Sequence, residues 1–213
     1  MCRLLFVKSS EAFEPAVYLR PFAAISKNSK EYQGHGWGCA AFRNGQWEIY
    51  KNIRPVWEDD LDQFEPADLF VAHARSAFRD EGIVVENNMP FYDGSHIFIF
   101  NGELQGVKIR AEGRIGAEKV FNYIRRFYQK DMNAAINRAI PIIEKRSSYI
   151  KAMNFMLVGS TRAHLVSVFS EDPEYFTLWS KKFENGRIIC SDPFPGEDDW
   201  EPVPNHTVEE IVL

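Results

Sequence analysis

Met1-Cys2-Arg3-Leu4-Leu5-Phe6-Val7-Lys8 opens the chain and decides how the rest of it is read. Its apolar run is broken by Arg3 and Lys8 and ended by Ser9-Ser10, which predicts a buried strand over residues 2–8. Loss of Met1 would leave Cys2 carrying a thiol and a free α-amino group on one residue. An amine of ordinary pKa, about 7.7 to 8.0, can take up the thiol proton directly or through a water, and cysteine is the most nucleophilic common side chain near neutral pH. Nucleophile and base would then coincide, with no separate His or Asp required. A cysteine at this position also suits a bland role as a small buried hydrophobe, so the remainder of the chain has to decide.

Working outward, Asn44-Gly45 lies between Cys39-Ala-Ala-Phe42 and Trp47-Glu-Ile-Tyr50 and predicts an antiparallel hairpin over residues 37–51. Residues 69–75 (Leu-Phe-Val-Ala-His-Ala-Arg) and 96–100 (His-Ile-Phe-Ile-Phe) read as strands. Ala117, Val120, Phe121, Ile124, Phe127 and Tyr128 then recur at helical spacing, with Arg125, Arg126 and Lys130 complementing the dipole at the end of the helix. A second helix through Met132, Ile136, Ala139, Ile140 and Ile143 should be kinked or split at Pro141. Strand rhythm returns in 155–158, 164–169, 176–179 and 187–190. Strands, adjacent helices and strands again suit one α+β layered domain over residues 1–213, without repeats or a low-complexity linker.

A formal net charge of −5 leaves no cationic excess for phosphate backbones, which argues against nucleic acid as a partner. The amino-terminal apolar run is too short for a secretory signal, and no stretch approaches bilayer-spanning length. Cys2, Cys39 and Cys190 are odd in number and lack metal-ligand spacing, and the five histidines are scattered, so the expectation is a cytoplasmic protein with neither metal nor cofactor.

Several motifs occur in a telling order: Met1-Cys2-Arg3, His35-Gly-Trp-Gly38, Val71-Ala-His-Ala-Arg75-Ser76, Glu86-Asn-Asn-Met-Pro-Phe91, Phe100-Asn101-Gly102-Glu103-Leu104 and Ile188-Ile-Cys-Ser191-Asp-Pro193. In this order the chain resembles a class II, or type 2, glutamine amidotransferase of the small stand-alone subgroup, over nearly its whole length. The resemblance implies the four-layer αββα sandwich of the N-terminal-nucleophile hydrolases, two antiparallel sheets flanked by helices. It further implies that Cys2 attacks the side-chain amide of glutamine, forms a γ-glutamyl thioester and releases ammonia.

By the same resemblance, Asn101 and Gly102 stabilise the oxyanion, although Asn-Gly is also an ordinary turn dipeptide. Arg75 grips the substrate α-carboxylate, a task for which a planar guanidinium is suited, and Ser76 adds a neighbouring hydrogen bond. Most arginines instead face solvent or a surface acid. Trp37 is read as a packing residue, and His73, two residues from Arg75 on one strand face, as a buried hydrogen-bonding group. The chain departs from the family at Gly116, where an Asp that binds the substrate ammonium is expected, and at Phe100, where His is common. Gly116 opens an alternative substrate to free glutamine, a γ-glutamyl peptide or thiol conjugate, and an alternative of another class, a noncatalytic regulatory or scaffolding subunit that keeps the fold. The expected partner is a small γ-glutamyl substrate, with room for an acceptor or synthetase protein and for a homo-oligomer.

Overall fold

The computed structural model describes the backbone of residues 1–213 and every side chain except that of Asp80. In chain order the elements are β1 (Arg3–Phe13), α1 (Pro15–Lys27), β2 (Trp37–Arg43), β3 (Gln46–Asn52), β4 (Ala67–Ala74), β5 (Phe91–Tyr92), β6 (Ile97–Gln105), α2 (Gly116–Arg125), α3 (Met132–Lys145), β7 (Tyr149–Val158), β8 (Arg162–Ser167), α4 (Pro173–Phe176), β9 (Trp179–Phe183), β10 (Gly186–Cys190), β11 (Glu201–Pro202) and β12 (Thr207–Val212). They build a seven-stranded sheet of order β11-β9-β10-β1-β4-β2-β3 and a five-stranded sheet of order β12-β8-β7-β6-β5. The pairings are antiparallel in both sheets.

Successive strand side chains alternate between faces, and the two faces of the larger sheet enter two different cores. Leu4 and Phe6 of β1, Ala40 of β2, and Leu69 and Val71 of β4 join a core shared with the smaller sheet, α2 and α3. Their neighbours Leu5, Val7, Cys39, Ala41, Phe70 and Ala72 pack instead with Leu19 and Phe22 of α1. The result is the expected layering, with α1 over one sheet, a shared core between the sheets, and α2 and α3 over the other. Phe98 of β6 stacks on Phe121 of α2 at 4.9 Å and 9°, fastening that outer layer.

The hairpin between β2 and β3 forms as expected, with Asn44 and Gly45 both at positive φ (50° and 78°), the signature of a tight two-residue turn that follows strand twist. Other expectations need correction. Residues 176–179 do not form a strand: Phe176 ends α4 and pairing starts only at Trp179. Phe176 and Leu178 are buried for packing rather than for a ladder. Sequence reading also missed α1, whose buried Leu19, Phe22, Ala23 and Ser26 have helical spacing that Pro15 and Pro21 disguise. Pro15 occupies the first turn, where its missing N–H costs nothing. The C-terminal β12, which alternates half-buried and exposed residues at a sheet edge, was missed as well.

Pro141 does not split α3, which runs unbroken from Met132 to Lys145. Pro141 sits on the exposed side, and the carbonyl it leaves without a helical donor belongs to Asn137, also exposed, so water can solvate it. Removing this internal proline should stabilise the helix. Pro141→Ala is expected to raise unfolding stability by about 1 to 3 kcal/mol, measured as a shift in denaturant midpoint at constant slope; a loss of stability would show that the proline is structurally required.

Candidate active site

The alternation that sorts core residues also sorts the polar ones at the strand ends. On β1 the series Phe6, Leu4 runs back to Cys2; on β4 the series Leu69, Val71 runs forward to His73 and Arg75. The register Arg3↔Ala74 sets Cys2 beside Arg75. On β6, Phe98 points to α2, so Ile97, Ile99 and Asn101 face the larger sheet. The two sheets are tied at this level by His73, whose ring Nε2 lies 3.0 Å from the Phe100 carbonyl. A carbonyl only accepts, so Nε2 carries the hydrogen and donates. Burial drives the His73 pKa down to about 3, which keeps the ring neutral.

The head of β1 is anchored by the last of the sequence motifs. Arg3 Nη1 donates to the Ser191 carbonyl at 2.8 Å, and Arg3 Nη2 pairs with Asp192 at 3.2 Å. The Leu4 N–H donates to Ser191 Oγ at 3.1 Å, and the Ser191 N–H donates to the Leu4 carbonyl. Cys2 is therefore held half-buried, with its thiol 3.6 Å from the Ser76 carbonyl. It is this carbonyl, not the Ser76 hydroxyl, that meets the sulfur. Burial pushes the thiol pKa up, partly offset by the amino-terminal charge, the Ser76 hydrogen bond and the Arg75 guanidinium. The thiol stays protonated near neutral pH and needs a base.

Arg75 is 4% exposed and has no carboxylate partner among the described residues. Its backbone is clamped on both sides, the N–H donating to Gly36 O at 2.9 Å and the carbonyl accepting from the His35 N–H at 3.1 Å. The Ala77 N–H donates to His35 Nδ1 at 2.8 Å. One guanidinium nitrogen, Nη1, reaches Asn88 Oδ1 at 3.4 Å, and Asn88 is itself fixed by donating to the Asn52 carbonyl at 2.8 Å. Gly36 cannot be replaced cheaply: its φ is +100°, and a Cβ there would lie 2.1 Å from Asn88 Nδ2. An unpaired guanidinium removed from water is costly, and the natural compensation is an anion.

Asn101 and Gly102 lie inside β6, not in a turn. Asn101 is fully buried, and neither Oδ1 nor Nδ2 has a partner among the described residues. Its cross-strand neighbour Asn154 is satisfied, donating to the Phe176 carbonyl at 2.7 Å and accepting from the Val168 N–H at 3.0 Å. A Cβ on Gly102 would stand 2.1 Å from the Ala152 carbonyl, so only glycine fits. Ala152 in turn packs with Tyr175, Phe176 and Met1, which brings the Asn101-Gly102 stretch toward the amino-terminal end of the chain. Contacts thus link Cys2 directly to Ser76, with Arg75 adjacent, while Asn101 and Gly102 approach from the opposite sheet.

Trp37 is buried and donates to Asp59 at 2.8 Å, a packing residue as read from the sequence. The two departures are now located. Phe100 stacks with Phe98 on the α2 side of β6. Gly116 is exposed at the start of α2, and a Cβ there would meet nothing within 4 Å. Two concavities flank α2, one lined by Arg110, Glu112, Arg125 and Arg126 and one by Lys51, Phe91, Arg114 and Glu118; neither is lined by Cys2, Arg75 or Asn101. Sequence reading missed Gln33 and Tyr175, which hold the Met1 carbonyl, because neither lies in a recognisable pattern.

No protein-family model matches the sequence, and no curated protein is detectably similar to it. Solved structures do match. A class II glutamine aminotransferase domain protein from Silicibacter pomeroyi superposes with a TM-score of 0.68 at 14% identity, over 99% of this chain and 94% of that one. The fold is that of the class II glutamine amidotransferase domains. A protein described as a predicted glutamine amidotransferase from Pseudomonas aeruginosa matches over 99% of this chain and 94% of that one, with a TM-score of 0.56 at 12% identity. The glutamine phosphoribosylpyrophosphate amidotransferase of B. subtilis matches at a TM-score of 0.66 and 13% identity; 89% of this chain covers 42% of it, so this chain corresponds to less than half of that enzyme. Among the described residues no helix is long and apolar enough to cross a membrane.

The neutral His73 has a measurable consequence. Its folded pKa of about 3 lies below the ordinary 6.5, so the unfolded chain binds the extra proton first as pH falls. Its contribution is complete above about pH 6.5 and is lost progressively toward pH 3. Between pH 6.5 and 5 the protein should lose up to about 2 kcal/mol from this residue, and His73→Gln, which keeps a donor for the Phe100 carbonyl, should flatten that slope in denaturant titrations. An unchanged slope in the variant would refute the assignment.

Proposed function

We propose that the chain is a cysteine amidohydrolase of the glutamine amidotransferase type, cleaving a γ-glutamyl amide at Cys2 after the residue preceding it is removed. The observation that carries this reading is the Arg75 guanidinium, buried without a carboxylate among the described residues and beside the residue whose carbonyl meets the Cys2 thiol. A free α-carboxylate on the substrate supplies the missing anion in a two-point geometry. The unsatisfied Asn101 amide supports a second anchor: its Nδ2 and the Gly102 N–H receive the negative charge that develops on the attacked carbonyl oxygen.

The reaction then runs as follows. The Cys2 α-amine, neutral near its ordinary pKa, accepts the thiol proton, and the sulfur attacks the γ-carbonyl carbon. The tetrahedral intermediate collapses as the amine returns that proton to the departing nitrogen, releasing ammonia or an amine and leaving a γ-glutamyl thioester. Water, deprotonated by the same amine, attacks the thioester; glutamate leaves and the thiol is restored. Ser76 contributes through its carbonyl, which orients the sulfur. No metal or cofactor enters this scheme, and the acceptor of the ammonia, whether water or a synthetase partner, lies outside this chain.

Gly116 favours a second reading of the substrate. With no side chain at the start of α2 and open space around it, the chain has no carboxylate there for a free α-ammonium, which suits a γ-glutamyl peptide or thiol conjugate as well as glutamine.

Two measurements test the proposal. A preparation beginning at Cys2, incubated with a glutamine-like electrophile, should gain one adduct by intact mass, and Cys2→Ala should gain none. Arg75→Gln should lower kcat/KM for amide hydrolysis by about 30- to 1,000-fold, the cost of unpairing a desolvated carboxylate. Hydrolysis of glutamine compared with that of a γ-glutamyl conjugate separates the two substrate readings. Absence of both labelling and hydrolysis would leave a noncatalytic scaffold.

A further inference from the structure

Met1 occupies a seat that is built from buried polar groups. Its carbonyl accepts from Gln33 Nε2 and from the Tyr175 hydroxyl, both at 2.5 Å. Its ammonium lies 3.4 Å from Glu31 Oε2. Gln33 is fully buried, and the same Nε2 also approaches the Glu31 carbonyl at 2.8 Å and the Tyr175 oxygen at 3.1 Å, whereas Oε1 has no partner among the described residues. Tyr175 is buried, receives Ser29 Oγ at 3.3 Å and carries the Arg3 guanidinium over its ring at 4.3 Å. Burial raises its pKa to about 12, so it keeps its proton and does not act as a competing base.

The Met1 carbonyl oxygen shares its carbon with the Cys2 nitrogen and stands roughly 2.3 Å from it by standard peptide dimensions. Removing Met1 deletes that acceptor and exposes a new amine at almost the same place. From this geometry, and resting on the reading of Cys2 as an amino-terminal nucleophile, we infer that Glu31, Gln33 and Tyr175 form a clamp for the Cys2 α-amino group. Once the Met1 carbonyl is gone the Tyr175 O–H turns to donate to Ser29 Oγ, so the orphan Gln33 Oε1 and the Tyr175 hydroxyl oxygen accept two amine hydrogens, which leaves the third position, proton or lone pair, turned toward the thiol. Glu31, which pairs with the Met1 ammonium at the rim of the seat, is the charge of this set that faces the new amine. These are positioning residues, acting through the amine. The same seat explains why Met1 and a free amine are alternatives, since one set of donors and acceptors serves both.

A merely structural role for the seat would not move the amine's titration, whereas the clamp must. Reaction of Cys2 with the electrophile requires the neutral amine, so its rate falls on the acid side of the amine pKa. Glu31→Gln removes a carboxylate that favours the ammonium, and the acid limb should move to lower pH by about half a unit, given partial solvent screening. Gln33→Glu adds a carboxylate in the seat, and the limb should move the opposite way, to higher pH. Both variants are made as chains that begin at Cys2, confirmed by intact mass, with unfolding midpoints measured in parallel. Opposite shifts of the limb establish the clamp. Labelling of the wild type with a limb unmoved in Glu31→Gln would overturn the clamp while leaving the reaction intact; failure of the wild type to label at all would overturn the reading of Cys2 and the clamp with it.

Discussion

The strand register of β1, β4 and β6 against one shared apolar core is the constraint on which the rest of the structure depends. Leu4, Phe6, Leu69 and Val71 can be buried between the sheets only in one phase, because a shift by one residue would turn each of them toward α1. That phase leaves no freedom at the strand ends. The burial of residues that have no chemistry of their own turns Cys2, His73 and Arg75 toward the smaller sheet and Asn101 toward the larger one. The apolar core fixes which polar groups meet, and the polar groups add only local orientation through the His73 bond to Phe100 and the Arg3 contacts with Ser191 and Asp192.

Such an arrangement works against stability. A guanidinium without a carboxylate and an asparagine amide without partners among the described residues are each expensive to desolvate, on the order of one to several kcal/mol. The neighbouring Asn154, equally buried, has both its Nδ2 and its Oδ1 hydrogen-bonded, so the fold does satisfy such a group one strand away. The contrast between cross-strand neighbours marks Asn101 as the exception, and Arg75, held by Asn88 but facing no carboxylate among the described residues, is a second buried polar group that a ligand could engage. Gly36 and Gly102 each bring backbone closer to a neighbour than any Cβ allows.

Much of this was legible in the sequence, and the reasons are specific. The Asn44-Gly45 turn demanded positive φ at two positions, and the alternation in 69–75 carried His73 and Arg75 to one face by counting alone. The burial of Arg75 was not legible from residue type, which ordinarily argues for solvent; only its place in an ordered set of motifs did so. Reading failed where proline obscured a helical period, in α1, and where its cost was overrated, in α3, because the one carbonyl it frees lies on the exposed side. It failed at 176–179, where apolar residues pack without pairing. Gln33 and Tyr175 were invisible for a different reason: they are 142 residues apart, and only the tertiary fold brings them to one carbonyl.

The central claim is that one gap between the sheets presents the sulfur, the guanidinium and the oxyanion donors to a single small molecule. A crystal structure of the chain beginning at Cys2 and alkylated by a glutamine-derived electrophile tests it most directly. The account predicts a bond from Cys2 Sγ to the former carbonyl-bearing group, the ligand carboxylate on Arg75, and the ligand oxygen within hydrogen-bond distance of Asn101 Nδ2 and the Gly102 N–H. An adduct whose carboxylate lies away from Arg75, or whose oxygen lies away from Asn101, would contradict it.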